Sequence, residues 1–226
     1  MSAAQAASTQ LLALSTGTLL VTSVLLVWRR SLGAAVRLLA AQGVALALLV
    51  TTIAVAEGEV ELLGVAVLVL ALKGVVLPVV LARGIAASGI AREDAPLLNP
   101  TAGLVTVALL TTVAYLVSRP ITDALAGAAT GGAGPAALSV PVGIAMVLIG
   151  FLLLATRRRA LSQVVGFLVL DNGIATVAFL TAAGVPFVVE LGVSFDVLLI
   201  ALILAVLSGR MHDLVGATSV DRMTEL

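Results

Sequence analysis

The stretch ALSQVVGFLVLDNGIATVAFLTAA, residues 160–183, decides how the whole chain is read. It is 24 residues long and holds one ionisable side chain, Asp171, beside Asn172. A helix of about 20 mostly apolar residues spans the hydrocarbon core of a bilayer, which is about 30 Å thick. The stretch is therefore a membrane span with a carboxylate near its middle. The rest of the chain agrees. Of its 226 residues 61% are hydrophobic and only 11% are charged, where soluble domains carry about a quarter charged residues. Too little polar surface exists for a soluble domain, and an all-α integral membrane protein is the class expected.

The same rule gives seven spans, at 9–28, 32–55, 62–82, 101–118, 138–156, 160–183 and 186–208. Arg29-Arg30, Glu57-Gly58-Glu59, the stretch 83–100, Arg119-Pro120 with the Gly-rich segment 127–135, Arg157–Arg159 and Gly184-Val185-Pro186 separate them. No Lys or Arg precedes the first apolar run, so it is expected to be a permanent helix rather than a secretory signal. Nine arginines (29, 30, 83, 92, 157, 158, 159, 210 and 222) follow odd-numbered spans, against Arg119 alone on the other side. By the positive-inside rule the N-terminus is expected outside and the C-terminus in the cytoplasm.

Composition also narrows the chemistry. Net charge is zero, so no basic surface points to nucleic acid, and the absence of cysteine excludes disulfides and thiolate-held iron–sulfur or zinc centres in this chain. The single histidine, His212, falls in the C-terminal tail with no acidic cluster around it, a poor metal site. No cofactor or metal is expected in this chain.

Depth arithmetic brings four polar residues together. Gln42 lies 12 residues past Arg30, Lys73 lies 10 before Arg83, Asp171 lies 12 past Arg159 and Asp196 lies 14 before Arg210. At 1.5 Å per residue all four sit roughly 15 to 21 Å from the cytoplasmic edge, near mid-bilayer. A lone charge there costs at least about 2.5–3.5 kcal/mol, so partners at equal depth are expected, Lys73 with Asp171 or Asp196. The acid left without a cation must hold or exchange a proton, as a relay requires. The alternative is a structural pair that locks helix packing, with Gln42 and Asn172 as interhelical hydrogen-bonding glue. Pro78 lacks the N–H that would reach the carbonyl of Gly74 and should kink the third span. Arg37 is close enough to the cytoplasmic edge to snorkel. Glu190, one turn into the last span, sits where a helix N-terminus favours an anion and an outer mouth would open.

An internal echo runs through the chain at an offset near 129 residues. RRSLGAAVRLLAAQGVALALL (29–49) parallels RRALSQVVGFLVLDNGIATVAFL (158–180), and ELLGV (61–65) parallels ELGV (190–193). Both units run in the same direction, as in a parallel duplication. The units are 1–82, a three-helix N-terminal unit; 83–137, a bridging fourth helix with its loops; 138–208, a three-helix C-terminal unit; and 209–226, a cytoplasmic tail.

RRRALSQVVGFLVLDNGIA (157–175) and PFVVELGVSFDVLLIALILAVLSGRMHDL (186–214), with QG at 42–43 and KGVVLPVVLAR at 73–83, carry a family resemblance. The chain resembles membrane component E of hydrogenase-4 and formate hydrogenlyase-type complexes. Its last three spans are similar to the K subunit of respiratory complex I and to the small C-type component of multisubunit cation/proton antiporters. The resemblance implies a non-catalytic, cofactor-free subunit in the ion-translocating membrane arm of a group 4 nickel–iron hydrogenase-like complex, in a bacterial or archaeal plasma membrane. Its partners would be the other membrane subunits of that complex and the lipid bilayer. Asp171 and Asp196 would be the exchangeable carboxylates, tuned by Lys73, with Gln42 and Asn172 as water ligands. Two departures stand out. The K-type acid position is occupied by Leu168, one turn before Asp171, and the Glu that usually precedes Asn-Gly in component E is an Asp here. An antiporter subunit with no redox partner and a structural scaffold remain the alternative functions.

Overall fold

A computed structural model of the chain describes residues 3–88, 97–128 and 134–181. Among these residues the chain is all-helical: α1 (Ala3–Trp28), α2 (Leu32–Glu57), α3 (Val60–Val69), a π-helical turn (Leu70–Val76), α4 (Leu77–Ser88), α5 (Pro100–Ala128), α6 (Pro135–Thr156) and α7 (Ala160–Thr181). The segment α3–π–α4 is one continuous span. Six spans result, each 22 to 27 residues long and apolar enough to cross a membrane. The expected seventh span at 186–208, with Glu190 and Asp196, and the tail with His212 lie outside the described residues.

Local signals set the helix ends. Pro100 and Pro135 open α5 and α6, where a missing N–H costs no helical bond. Gly58, at φ 74°, closes α2 in the left-handed region, and Glu59 N–H reaches back to the Ala54 carbonyl at 3.0 Å. Two expected boundaries move. α5 continues through Arg119 and Pro120 to Ala128, and α4 continues past Arg83 to Ser88. Apolar content marks where the hydrocarbon ends, but a helix can run on into the polar layer. At Pro120 this requires the loss of only one backbone bond.

Three-residue links join α1 to α2 (Arg29–Ser31) and α6 to α7 (Arg157–Arg159), so each pair packs antiparallel. α2 and α7 form the centre, with 61% of each span buried, and α5 lies at the periphery with 22%. Two apolar clusters hold the bundle together. One, toward the Glu57–Glu61 end, gathers Leu19, Leu46, Leu49, Val50 and Met146; the other, toward the arginine end, gathers Leu26, Leu39, Leu81, Ile149 and Leu153.

In lipid there is no hydrophobic drive between helices, so close approach must supply the attraction. The α6–α7 hairpin achieves it with glycines spaced seven apart on both helices, Gly143 and Gly150 facing Gly166 and Gly173. A Cβ at Gly150 would lie 2.5 Å from the Leu170 nitrogen, one at Gly173 2.7 Å from the Val147 nitrogen and one at Gly166 2.8 Å from the Leu154 nitrogen. The hydroxyls along the spans are mostly spent locally. Thr16, Thr22, Thr52 and Thr176 each donate to the carbonyl four residues back, so these need no functional account.

Gly150→Ala is expected to force α6 from α7 and cost about 1–3 kcal/mol. Gly64→Ala, at a position with open space around it, is expected to leave stability equal or higher. Thermal unfolding of the purified full-length protein in detergent compares the two.

Candidate functional site

The site grows from two helices that the chain brings together across 130 residues. α2 presents Gln42 and α7 presents Asp171 and Asn172, all to the bundle interior. Gln42 is 0% exposed, Asn172 4% and Asp171 5%. The third span delivers Lys73, also 5% exposed, from within the π-helical turn.

Why that turn is π-helical follows from its sequence. Four residues before Pro78, the Gly74 carbonyl has no N–H to accept from in an α-helix and meets the proline ring. The π turn widens the backbone just ahead of Pro78, and Leu77 N–H bonds to the Leu72 carbonyl five residues back. The sequence led us to expect a kink; the backbone irregularity falls at the expected place, in the form of this wide turn. Such turns recur at functional sites. Gly43 matches it from the other side. A Cβ there would lie 2.3 Å from the Lys73 carbonyl carbon and 2.4 Å from its oxygen, so α2 and the π turn touch backbone to backbone.

Within this frame the Lys73 ammonium donates to Asp171 Oδ2 in a buried ion pair. Asp171 is one of the two partners open to Lys73 in the sequence; the other, Asp196, lies outside the described residues. Beside the pair runs a directed chain of hydrogen bonds. Asn172 Nδ2 donates to Gln42 Oε1 at 3.1 Å, Gln42 Nε2 donates to Ser23 Oγ at 2.8 Å, and Ser23 Oγ donates to the Leu19 carbonyl at 2.8 Å. Gln42 and Asn172 thus hold each other directly. The amide orientations follow from this network.

Three of the four residues placed at one depth by the sequence, Gln42, Lys73 and Asp171, therefore meet in one layer with Asn172; Asp196 and Glu190 lie outside the described residues. Arg37 is exposed, as snorkelling requires. Two participants were not foreseen. Ser23 is fully buried on α1, but nothing marks it out among the many hydroxyls of the spans. Arg157 entered only as a cytoplasmic charge. It is buried, and its Nη2 donates to the carbonyls of Leu26 at 3.0 Å and Arg29 at 3.1 Å, with Val27 at 3.4 Å. A cation there satisfies the exposed carbonyls and the negative dipole end of α1.

Among the described residues no three His, Cys, Asp or Glu side chains converge, and the layer is an ion pair flanked by amides and hydroxyls. Chemically, the pair can hold or pass a proton, while the amides orient neighbours and fix helix positions.

These features define a multi-pass α-helical membrane protein with a charged pair buried in its helical core. The chain is 43% identical over 211 residues to the uncharacterized protein Rv0085 of Mycobacterium tuberculosis, with 93% of each chain covered. It belongs to the same family as that protein. No family model matches the chain, and no solved structure matches it.

Lys73→Met is expected to leave the Asp171 carboxylate uncompensated and to destabilise the fold by about 3–5 kcal/mol, and Lys73→Met with Asp171→Leu to recover most of that loss. Denaturation of the single and double variants in detergent measures the coupling.

Proposed function

We propose that this protein is a non-catalytic subunit of the membrane arm of a group 4 nickel–iron hydrogenase-like, complex I-related assembly. It contributes to proton or sodium translocation driven by redox chemistry in other subunits. The observation that carries this reading is the buried Lys73–Asp171 pair, with the lysine in the π-helical turn of the third span and the aspartate on α7. An intramembrane ion pair is costly to maintain and is a mark of ion and proton pathways. The resemblance of 157–175, 186–214 and 73–83 to component E and K-type subunits supplies the redox-coupled setting. Asp171 is the exchangeable carboxylate in this reading, Lys73 is its counter-ion, and Asp196 and Glu190 are the further carboxylates of the pathway. The membrane is the plasma membrane of a prokaryote, with the arginine-bearing end of the bundle in the cytoplasm.

A parallel duplication fits the same reading. Gln42 and Asn172 pair with each other and are 130 residues apart, close to the 129-residue echo. Contact between equivalent residues is what two related units make at a two-fold axis between them. α2 and α7, the corresponding helices, are also the two most buried.

One observation favours a scaffold instead. The amides of Gln42 and Asn172 are occupied by each other and by Ser23, which is how interhelical glue behaves. An antiporter component would share the ion-handling residues and differ in its partners.

Asp171→Asn, introduced into the native complex and reconstituted in vesicles, separates these readings. Loss of substrate-driven ion uptake with assembly intact is the expected result; unchanged uptake would leave the scaffold role. Co-purification of hydrogenase large and small subunits, rather than antiporter subunits alone, is expected for the native protein.

A further inference from the structure

Each polar residue of the central layer has a buried leucine or valine one helical turn nearer the arginine end. On α1 Leu26 follows Ser23, and on α2 Leu39 precedes Gln42. On the third span Leu77 follows Lys73, and on α7 Leu168 and Val169 precede Asp171 and Asn172. These helices run in alternating directions, yet the offset always points the same way. Leu26, Leu39, Leu77, Leu168 and Val169 are at most 4% exposed and belong to one apolar cluster. Among the described residues no buried polar side chain stands between this ring and Arg157 and Ser162 at the arginine end.

Two clefts open at that end, one against the start of α5 and one against α2 and α7, each with room for about one water molecule. Leu153 lines both and Leu26 lines the second, so the clefts end against the same apolar cluster. From Leu26, one turn of helix, about 5 Å, separates them from Ser23 and the bond it receives from Gln42. Arg157 also lines both clefts and, by donating to the α1 carbonyls, pins the α6–α7 link to the end of α1. A dry apolar constriction beside a charged site admits water only when it widens or becomes polar, which is how hydrophobic gates act.

We propose that the ring of Leu26, Leu39, Leu77, Leu168 and Val169 is a hydrophobic gate that closes the Lys73–Asp171 layer to water from the arginine end. The layer exchanges protons with that end only through the ring. The purpose of the gate rests on the coupling role proposed for the ion pair; the barrier itself is measured without transport.

The chain has no cysteine, so an introduced thiol is the only one present. Ser23→Cys places it in the layer behind the ring, and Ser31→Cys places it in the exposed α1–α2 link. Full-length protein in sealed membrane vesicles is treated with silver ion in chloride-free buffer, from the side on which Ser31→Cys reacts. Thiols that remain are counted with a maleimide after unfolding. Ser23→Cys is expected to react about 100-fold more slowly than Ser31→Cys, as a site reached only through local opening does. Leu39→Ser, which makes the ring wettable, is expected to speed that reaction about tenfold, and Leu168→Ser takes its place if the first variant does not fold. Leu46→Ser, at a buried position one turn from Gln42 on the opposite side of the layer, is expected to change the rate little. A Ser23→Cys thiol as reactive as that of Ser31→Cys overturns the gate. So does a rate that the ring variant leaves unchanged, or that Leu46→Ser raises as much. If the gate stands while Asp171→Asn leaves ion uptake unchanged, the coupling role alone falls.

Discussion

A lysine and an aspartate buried among apolar helices must find each other, because the side chains around them solvate neither. That constraint governs the centre of this protein. It sets the register of the third span against α7, since Lys73 has to arrive at the depth of Asp171. It also sets how closely the third span approaches α2, where Gly43 lets the two backbones touch at Lys73 and Gly74. The π turn ahead of Pro78 belongs to the same arrangement. A regular helix would meet the proline ring there, and the widened turn carries the lysine inward.

Around this centre the bundle is held by short-range contacts rather than by water exclusion. Glycines spaced seven apart on α6 and α7 bring the two helices together, which is how attraction is generated between surfaces as apolar as the lipid. The amide pair Gln42–Asn172 ties α2 to α7, and Ser23 extends the tie to α1. Polar groups in this core act as fasteners as well as candidate carriers. The proposed coupling role draws on the ion pair, while the amide chain accounts for rigidity beside it.

The two ends of the molecule differ in kind. Glu57, Glu59 and Glu61 are exposed at one end, while Arg29, Arg30 and Arg157–Arg159 cluster in two short links at the other. Arg157 shows that such a charge is not only a topological signal. By donating into the end of α1 it fastens the first hairpin to the second.

The sequence by itself determined the helical class, six spans among the described residues and the common level at which Gln42, Lys73 and Asp171 meet. Hydrophobic run length and a fixed rise per residue report position along the membrane normal. They say nothing about rotation around each helix or about which helix is a neighbour. The contact of Lys73 with Asp171, the direct Gln42–Asn172 bond, and the parts played by Ser23 and Arg157 were therefore decided by packing. The ends of α4 and α5 were misplaced for a related reason, since apolarity stops at the lipid boundary and hydrogen bonding does not. Depth is written in one dimension of the sequence; contact needs the other two, and only the tertiary structure supplies them.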